Sequence, residues 1–123
     1  MNQNYSFSGK VIQGLQNGRT IGYPTANLQT DDTFSLSDGI YAAEAVLENR
    51  HLIGMLYVGT RPTLHLSART IEMHLFDFQE DIYGKILKII VFKKIREDKS
   101  FDNLTQLKAQ IQTDEKEIRQ LLQ

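Results

Sequence analysis

Pro24-Thr25-Ala26-Asn27 is a short turn sequence rich in hydrogen-bonding side chains. It follows a glycine-punctuated run, Gly14-Leu15-Gln16-Asn17-Gly18-Arg19-Thr20-Ile21-Gly22. Glycines let backbone N–H groups turn toward a phosphate with no Cβ in the way. Arg19 adds charge-assisted hydrogen bonds to phosphate oxygens. The same composition also suits an ordinary hairpin loop, and it is neither a Walker A sequence nor a Rossmann fingerprint. Pro24 fixes its own φ and holds Tyr23 extended. On a strand entered after Pro24, Thr25 and Asn27 share a face by the period of two. Two neutral oxygens on one face suit a hard cation such as Mg²⁺, whose other ligands are phosphates and water. The alternative is a turn whose Thr and Asn side chains bond local backbone.

A lone carboxylate, Glu72, sits in the apolar segment Thr70-Ile71-Glu72-Met73-His74-Leu75, on one face with His74 and Phe76. Apolar neighbours raise the pKa of a carboxylate, which suits a general base. Ordinary alternation, with Glu72 on a solvated face, accounts for the same pattern. His74 reads as a structural hydrogen-bonding group, and the spacing of His51, His65 and His74 suggests no metal site. Arg96-Glu97-Asp98-Lys99-Ser100-Phe101 is either a solvated connection or a flap in which Phe101 offers a stacking face.

These residues need a scaffold, and strand signals dominate the first hundred positions. Tyr5 to Gly14 opens with alternation at Tyr5, Phe7 and Gly9, then Val11 and Ile12. Ile40 to Leu47 and Leu52 to Val58 are strands joined by the polar turn Glu48-Asn49-Arg50-His51. Asp31 to Gly39 is a polar, turn-rich connection. Arg69 to Phe78 and Lys85 to Ile95 complete the set. The last has apolar residues on both faces, Ile86, Ile90 and Phe92 against Leu87, Ile89 and Val91, which predicts cover on both sides for part of its length. The period then becomes helical at Leu104, Leu107, Ile111, Ile118 and Leu121. Asn103 as N-cap and Gln106 as the matching residue of a capping box predict a helix over 104–122. Several antiparallel strands and one helix suggest a closed or nearly closed β-barrel with the helix packed on it.

The whole chain has 123 residues, the size of one small domain, and its 14 basic and 15 acidic residues nearly cancel. That balance argues against a nucleic-acid binder driven by phosphate neutralisation. With no cysteine, disulfides, thiol nucleophiles and cysteine zinc sites are excluded. No apolar run approaches the ~20 residues needed to span a bilayer. The N-terminus has neither a basic n-region nor an apolar h-region. A cytoplasmic protein fits these features.

Taken together, GYPTANL (22–28), DGIYAAEA (38–45), VGTRPT (58–63), TIEMHLFDF (70–78), DIYGK (81–85) and the segment from Lys93 to Asp114 resemble riboflavin kinases. The likeness is to the kinase module at the C-terminal end of bacterial bifunctional riboflavin kinase/FAD synthetases, and it runs from about Tyr5 to Leu121. It implies a six-stranded antiparallel barrel with a C-terminal helix. It also implies transfer of the γ-phosphoryl of ATP, with Mg²⁺, to the 5′-hydroxyl of riboflavin, giving FMN and ADP. Carried over by position, Thr25 and Asn27 match the metal-associated pair, and Glu72 matches the carboxylate that deprotonates the hydroxyl. Gly14, Arg19 and Gly22, with Thr25, match the ATP-binding loop. Leu75, Asp77 and Tyr83 fall in the region facing nucleotide and flavin. Arg96, Lys99 and Phe101 match the flavin-side flap.

No adenylyltransferase segment precedes the module, so FAD synthesis is not expected from these residues. An excised domain or a stand-alone kinase both fit, and the abrupt Met-Asn-Gln-Asn start favours excision. The implied partners are riboflavin and ATP, with no nucleic acid and no membrane, and the isolated domain is expected to be a monomer. Two other readings stay open. A non-catalytic flavin- or FMN-binding barrel would not need Thr25, Asn27 and Glu72 together. A small nucleic-acid-binding barrel would need a basic surface with interleaved aromatics.

Overall fold

The computed structural model describes residues 4–13, 23–60 and 69–123. Six strands occur among them: β1 (Tyr5–Ile12), β2 (Ala26–Gln29), β3 (Gly39–Leu47), β4 (Arg50–Gly59), β5 (Thr70–Leu75) and β6 (Ile86–Arg96). One helix follows, α1 (Leu104–Leu122). The strands close into an antiparallel barrel in the order β1-β2-β5-β4-β3-β6. Closure leaves no free sheet edge.

Alternation sorts each strand into two faces. Val11, Leu28, Ala43, Leu56, Val58, Met73, Leu87 and Ile89 point inward and fill the barrel. Tyr5 and Phe7 join them, as the alternation in β1 predicts. Between β2 and β3, Phe34 turns back so that its ring meets Phe7 edge-on at 4.9 Å and Tyr5 at 6.3 Å. The connection expected to be merely polar therefore also supplies apolar packing, with Leu36 beside Phe34.

The outer face of β3 and β4 carries Ile40, Ala42, Met55 and Tyr57. There α1 packs through Leu107, Ile111 and Ile118. The helix spans the expected residues, but its outermost apolar positions, Leu104 and Leu121, are exposed. The Asn103 side chain accepts from the Gln106 N–H at 2.9 Å, as a cap should. The Gln106 side chain reaches back one residue further than a capping box requires, accepting from the Asp102 N–H at 3.3 Å. The β3–β4 connection is tighter than expected. Leu47 pairs with Arg50, leaving Glu48 and Asn49 as a two-residue turn with φ of 55° and 105°.

The expected double cover of the last strand holds for part of its length only. On its outer side Ile86 is 57% and Phe92 40% exposed. The helix lies over β3 and β4 instead. Only beyond the register shift between β3 and β6 does the end of β6 gain cover, where Ile95 joins the cluster under α1.

Candidate active site

The strand register brings the sequence candidates into one row on the outside of the barrel. Asn27 lies opposite Glu72, Glu72 opposite Tyr57, Tyr57 opposite Ile40, and Ile40 opposite Arg96. Directly opposed residues share a face, and this one continues under α1. One step along, Thr25, His74 and Met55 join the row around an open pocket. Ile111 of α1 forms part of its wall.

Glu72 has no exposed surface. A buried carboxylate is tolerated only when hydrogen-bonded. Thr25 Oγ1 donates to Glu72 Oε1 at 3.0 Å, and Thr70 Oγ1 donates to Oε2 at 2.7 Å. The expectation of a solvated Glu72 is thereby set aside. Its burial comes from cover on the outer face, where Tyr23, Tyr57 and Ile111 of α1 line the same pocket.

Thr25 uses its hydroxyl hydrogen on Glu72, which turns its lone pairs away from the carboxylate. Asn27 is buried beside it, at 8% exposure. Hydroxyl and amide oxygens are hard donors, and Mg²⁺ needs few of them when phosphates supply the rest. Among the described residues no cluster of three or more His, Asp or Glu could cage a metal alone. The donor set therefore fits a cation carried in with phosphate better than a resident metal.

Tyr23 enters the pocket ahead of Pro24. Burial pushes its phenol above the ordinary value, a hydrogen bond with Gln112 pulls it down, and the Glu115 charge pushes it up again.

The flap segment is tied to both barrel and helix. The Tyr57 hydroxyl donates to Asp98 Oδ2 at 2.8 Å. Gly59 permits this approach, because a Cβ there would meet Asp98 Oδ2 and the Tyr57 hydroxyl. Arg96 sends Nε to both oxygens of Asp114 at 3.1 and 2.9 Å, Nη2 to Oδ2 at 2.9 Å, and Nη1 to the Glu97 carbonyl at 3.1 Å. The Arg96 guanidinium and the Lys99 ammonium lie 5.6 and 5.2 Å from the centre of the Phe101 ring. Arg96, Lys99 and Phe101 are thus together, and Arg96 also lines the pocket around Glu72 while it bonds α1 and the flap backbone.

Other expected residues lie elsewhere. Leu75 is two residues past Met73 and, by the same period, points into the barrel core. As a ligand-facing side chain it is corrected. Asp77, at φ 57°, pairs with Arg119 of α1 at 3.0 and 3.2 Å. That partner holds its carboxyl below the usual range. Tyr83 is 65% exposed, on a turn pinned by the Gly84 N–H to the Val11 carbonyl at 2.9 Å. Neither lines the pocket around Glu72. Gly14, Arg19, Gly22 and residues 61–68 lie outside the described residues.

Sequence reasoning passed over Thr70, Tyr57, Asp98 and Asp114. Thr70 had a signal, since it shares the Glu72 face by the period of two. Asp114 had one too, falling between Ile111 and Ile118 on the apolar stripe of a helix. Tyr57 and Asp98 are recruited by strand pairing and a long-range approach, which no local pattern carries.

Comparison with known proteins places the chain in a family. The chain matches the riboflavin kinase (Flavokinase) family model over residues 1–122. It is 40% identical over 117 residues to a bifunctional riboflavin kinase/FMN adenylyltransferase of Escherichia coli, covering 94% of this chain and 37% of that protein. It thus spans little more than a third of the length of such relatives. An RNA-binding riboflavin kinase of Bacillus subtilis is 37% identical, covering 87% of this chain and 46% of its own. A solved structure described as a macrolide-efflux protein from Streptococcus pneumoniae superposes with a TM-score of 0.84 at 35% identity, over 94% of this chain and 38% of that one. Riboflavin kinase from Trypanosoma brucei superposes with a TM-score of 0.67 at 25% identity, over 98% and 81%. With the closed barrel, its C-terminal helix and the matched residues in agreement, the chain belongs to the riboflavin kinase family.

Proposed function

We propose that residues 1–123 act as one kinase domain that transfers the γ-phosphoryl of ATP to the 5′-hydroxyl of riboflavin, giving FMN and ADP. The observation that carries this reading is the buried Glu72 carboxylate with Thr25 bonded to it and Asn27 opposite it in register. Family membership supplies the substrate class.

Glu72 accepts the proton of the attacking hydroxyl as the oxygen–phosphorus bond forms, and ADP departs with the electrons of the broken bond. Thr70 and Thr25 hold the carboxylate in one orientation, so the base does not have to be ordered during the reaction. Thr25 and Asn27 would hold Mg²⁺, which when bound neutralises phosphate charge. The pocket walls, Tyr57 and Ile111 among them, exclude water from the transfer. On the flavin side, Phe101 offers a ring face, with Lys99 beside it. Gly14, Arg19 and Gly22 are proposed for the phosphates, and Asp77 and Tyr83 for the outer edge of the ligands.

The reading extends to a cytoplasmic monomer working on two small molecules, without nucleic acid or membrane, beside an FAD synthetase domain in full-length proteins. The bifunctional relatives support that neighbour. The near balance of charge supports small substrates over nucleic acid. Incubation with riboflavin, ATP and Mg²⁺ should give FMN and ADP in equal amounts by chromatography. Riboflavin binding by folded protein with no FMN formed would return the reading to a non-catalytic flavin barrel.

A further inference from the structure

His74 is one step along β5 from the carboxylate row, and its Nδ1 lies 2.7 Å from the carbonyl oxygen of Pro24. A carbonyl only accepts, so Nδ1 is the nitrogen that carries the hydrogen. The bond joins residues 50 apart in sequence and ends one peptide away from Thr25. Two aromatic rings brace the imidazole. Tyr23 meets it edge-on at 5.5 Å, and Phe76 at 5.4 Å from the other side. Arg119 in turn covers Phe76 at 4.6 Å.

We propose that His74 is a positioning residue that fixes the Pro24–Thr25 peptide and so aims Thr25 and Asn27 at the metal-bound nucleotide. The assignment of that pair rests on the kinase reading above. The argument is one of remaining freedom. The peptide bond is planar, and the proline ring already sets φ of Pro24. The soft torsion left before Thr25 is ψ of Pro24, which moves the Pro24 carbonyl and the Thr25 amide together. A hydrogen bond to that carbonyl removes it. Thr25 then enters β2 with its hydroxyl on Glu72, and Asn27 follows on the same face. The His74 ring is only half-buried, so its contribution to core packing is small, whereas its hydrogen bond acts at the entry to the site.

The test compares two variants with the parent protein. His74→Phe keeps a ring between Tyr23 and Phe76 and removes the donor. His74→Asn loses the ring but keeps a donor near the Nδ1 position. The readouts are calorimetric binding of ADP with Mg²⁺, quenching of riboflavin fluorescence, the separate KM values for ATP and riboflavin, and the melting temperature. Loss of one hydrogen bond predicts about three- to tenfold weaker Mg²⁺-dependent ADP binding in His74→Phe. The KM for ATP should rise in step, riboflavin binding should hold within about twofold, and His74→Asn should recover most of the loss. Equal damage in both variants, or equal loss of both ligands with a lowered melting temperature, overturns the inference and leaves the ring as packing. If the parent makes no FMN yet His74→Phe selectively loses Mg²⁺–ADP binding, the kinase reading fails and the role of His74 stands. If the parent makes FMN and the variants do not differ, the reverse holds.

Discussion

Consecutive residues on β5 face two different environments. Met73 points inward, against Leu56, Val58 and Leu28 in a core of apolar side chains. Glu72 points outward into the space between the wall and α1, equally buried but held by two threonine hydroxyls. Both of the fully buried charged residues described, Glu72 and Asp114, lie on this outer side. The inner core closes the barrel, and the outer layer is where polar groups can be desolvated beside a ligand. A small closed barrel has no room inside for a substrate, so its chemistry must lie between the wall and whatever covers it.

The strongest way to break this contrast is to change the two neighbours separately. Glu72→Gln keeps shape and most hydrogen bonding but cannot take the proton. Turnover should fall ~10²–10⁴-fold, with substrate affinities changed only modestly. Steady-state kinetics at saturating riboflavin and ATP reads this directly, and near-normal turnover would remove Glu72 as the base. Met73→Ala should do the opposite, costing about 2–5 kcal/mol of stability. Activity per folded molecule should stay near that of the parent. Urea unfolding with activity measured on the folded fraction separates the two effects. A collapse of turnover without loss of stability would mean that the inner core tunes the site.

The smallest effect sharpens the boundary of the outer layer. Asp77 pairs with Arg119 at the surface, and that partner lowers its pKa in the folded state. A lowered carboxyl stabilises the fold above its unfolded pKa. The contribution is lost as pH falls through the lower, folded value. The melting temperature of the parent should therefore drop slightly more than that of Asp77→Asn on acidification below the ordinary carboxylate range. Salt should shrink the difference. A turnover loss in Asp77→Asn comparable to that of Glu72→Gln would move Asp77 from the rim into the site.

Much of this was legible locally. The helix announced itself by period and cap, and Glu72 by being a charge in an apolar strand. Thr25 and Asn27 could be placed on one face because Pro24 marks where the strand begins. What could not be read depends on closure. Nothing local says that β5 inserts between β2 and β4, so the row from Asn27 through Tyr57 to Arg96 was invisible. Which part of β6 would be covered on its outer side was hidden for the same reason. Apolar residues there promise cover, but the helix is directed elsewhere by Ile40, Ala42, Met55 and Tyr57. Leu75 was assigned by motif position, whereas strand period alone sends it inward. Arg96 was expected at the ligand and does line the pocket, but only the folded helix reveals its ion pair with Asp114.

One seam in the wall has a further consequence. β2 and β5 are joined by just two register pairs, Ala26 with Met73 and Asn27 with Glu72. Among the described residues this short join is thus also where the proposed catalytic residues meet. Any ligand that bridges Asn27 and the neighbourhood of Glu72 would act as a clamp across that join. It would add closure energy there, and apparent stability would rise with ligand concentration. On the proposed function, bound ligand would thus brace the barrel where β2 and β5 meet.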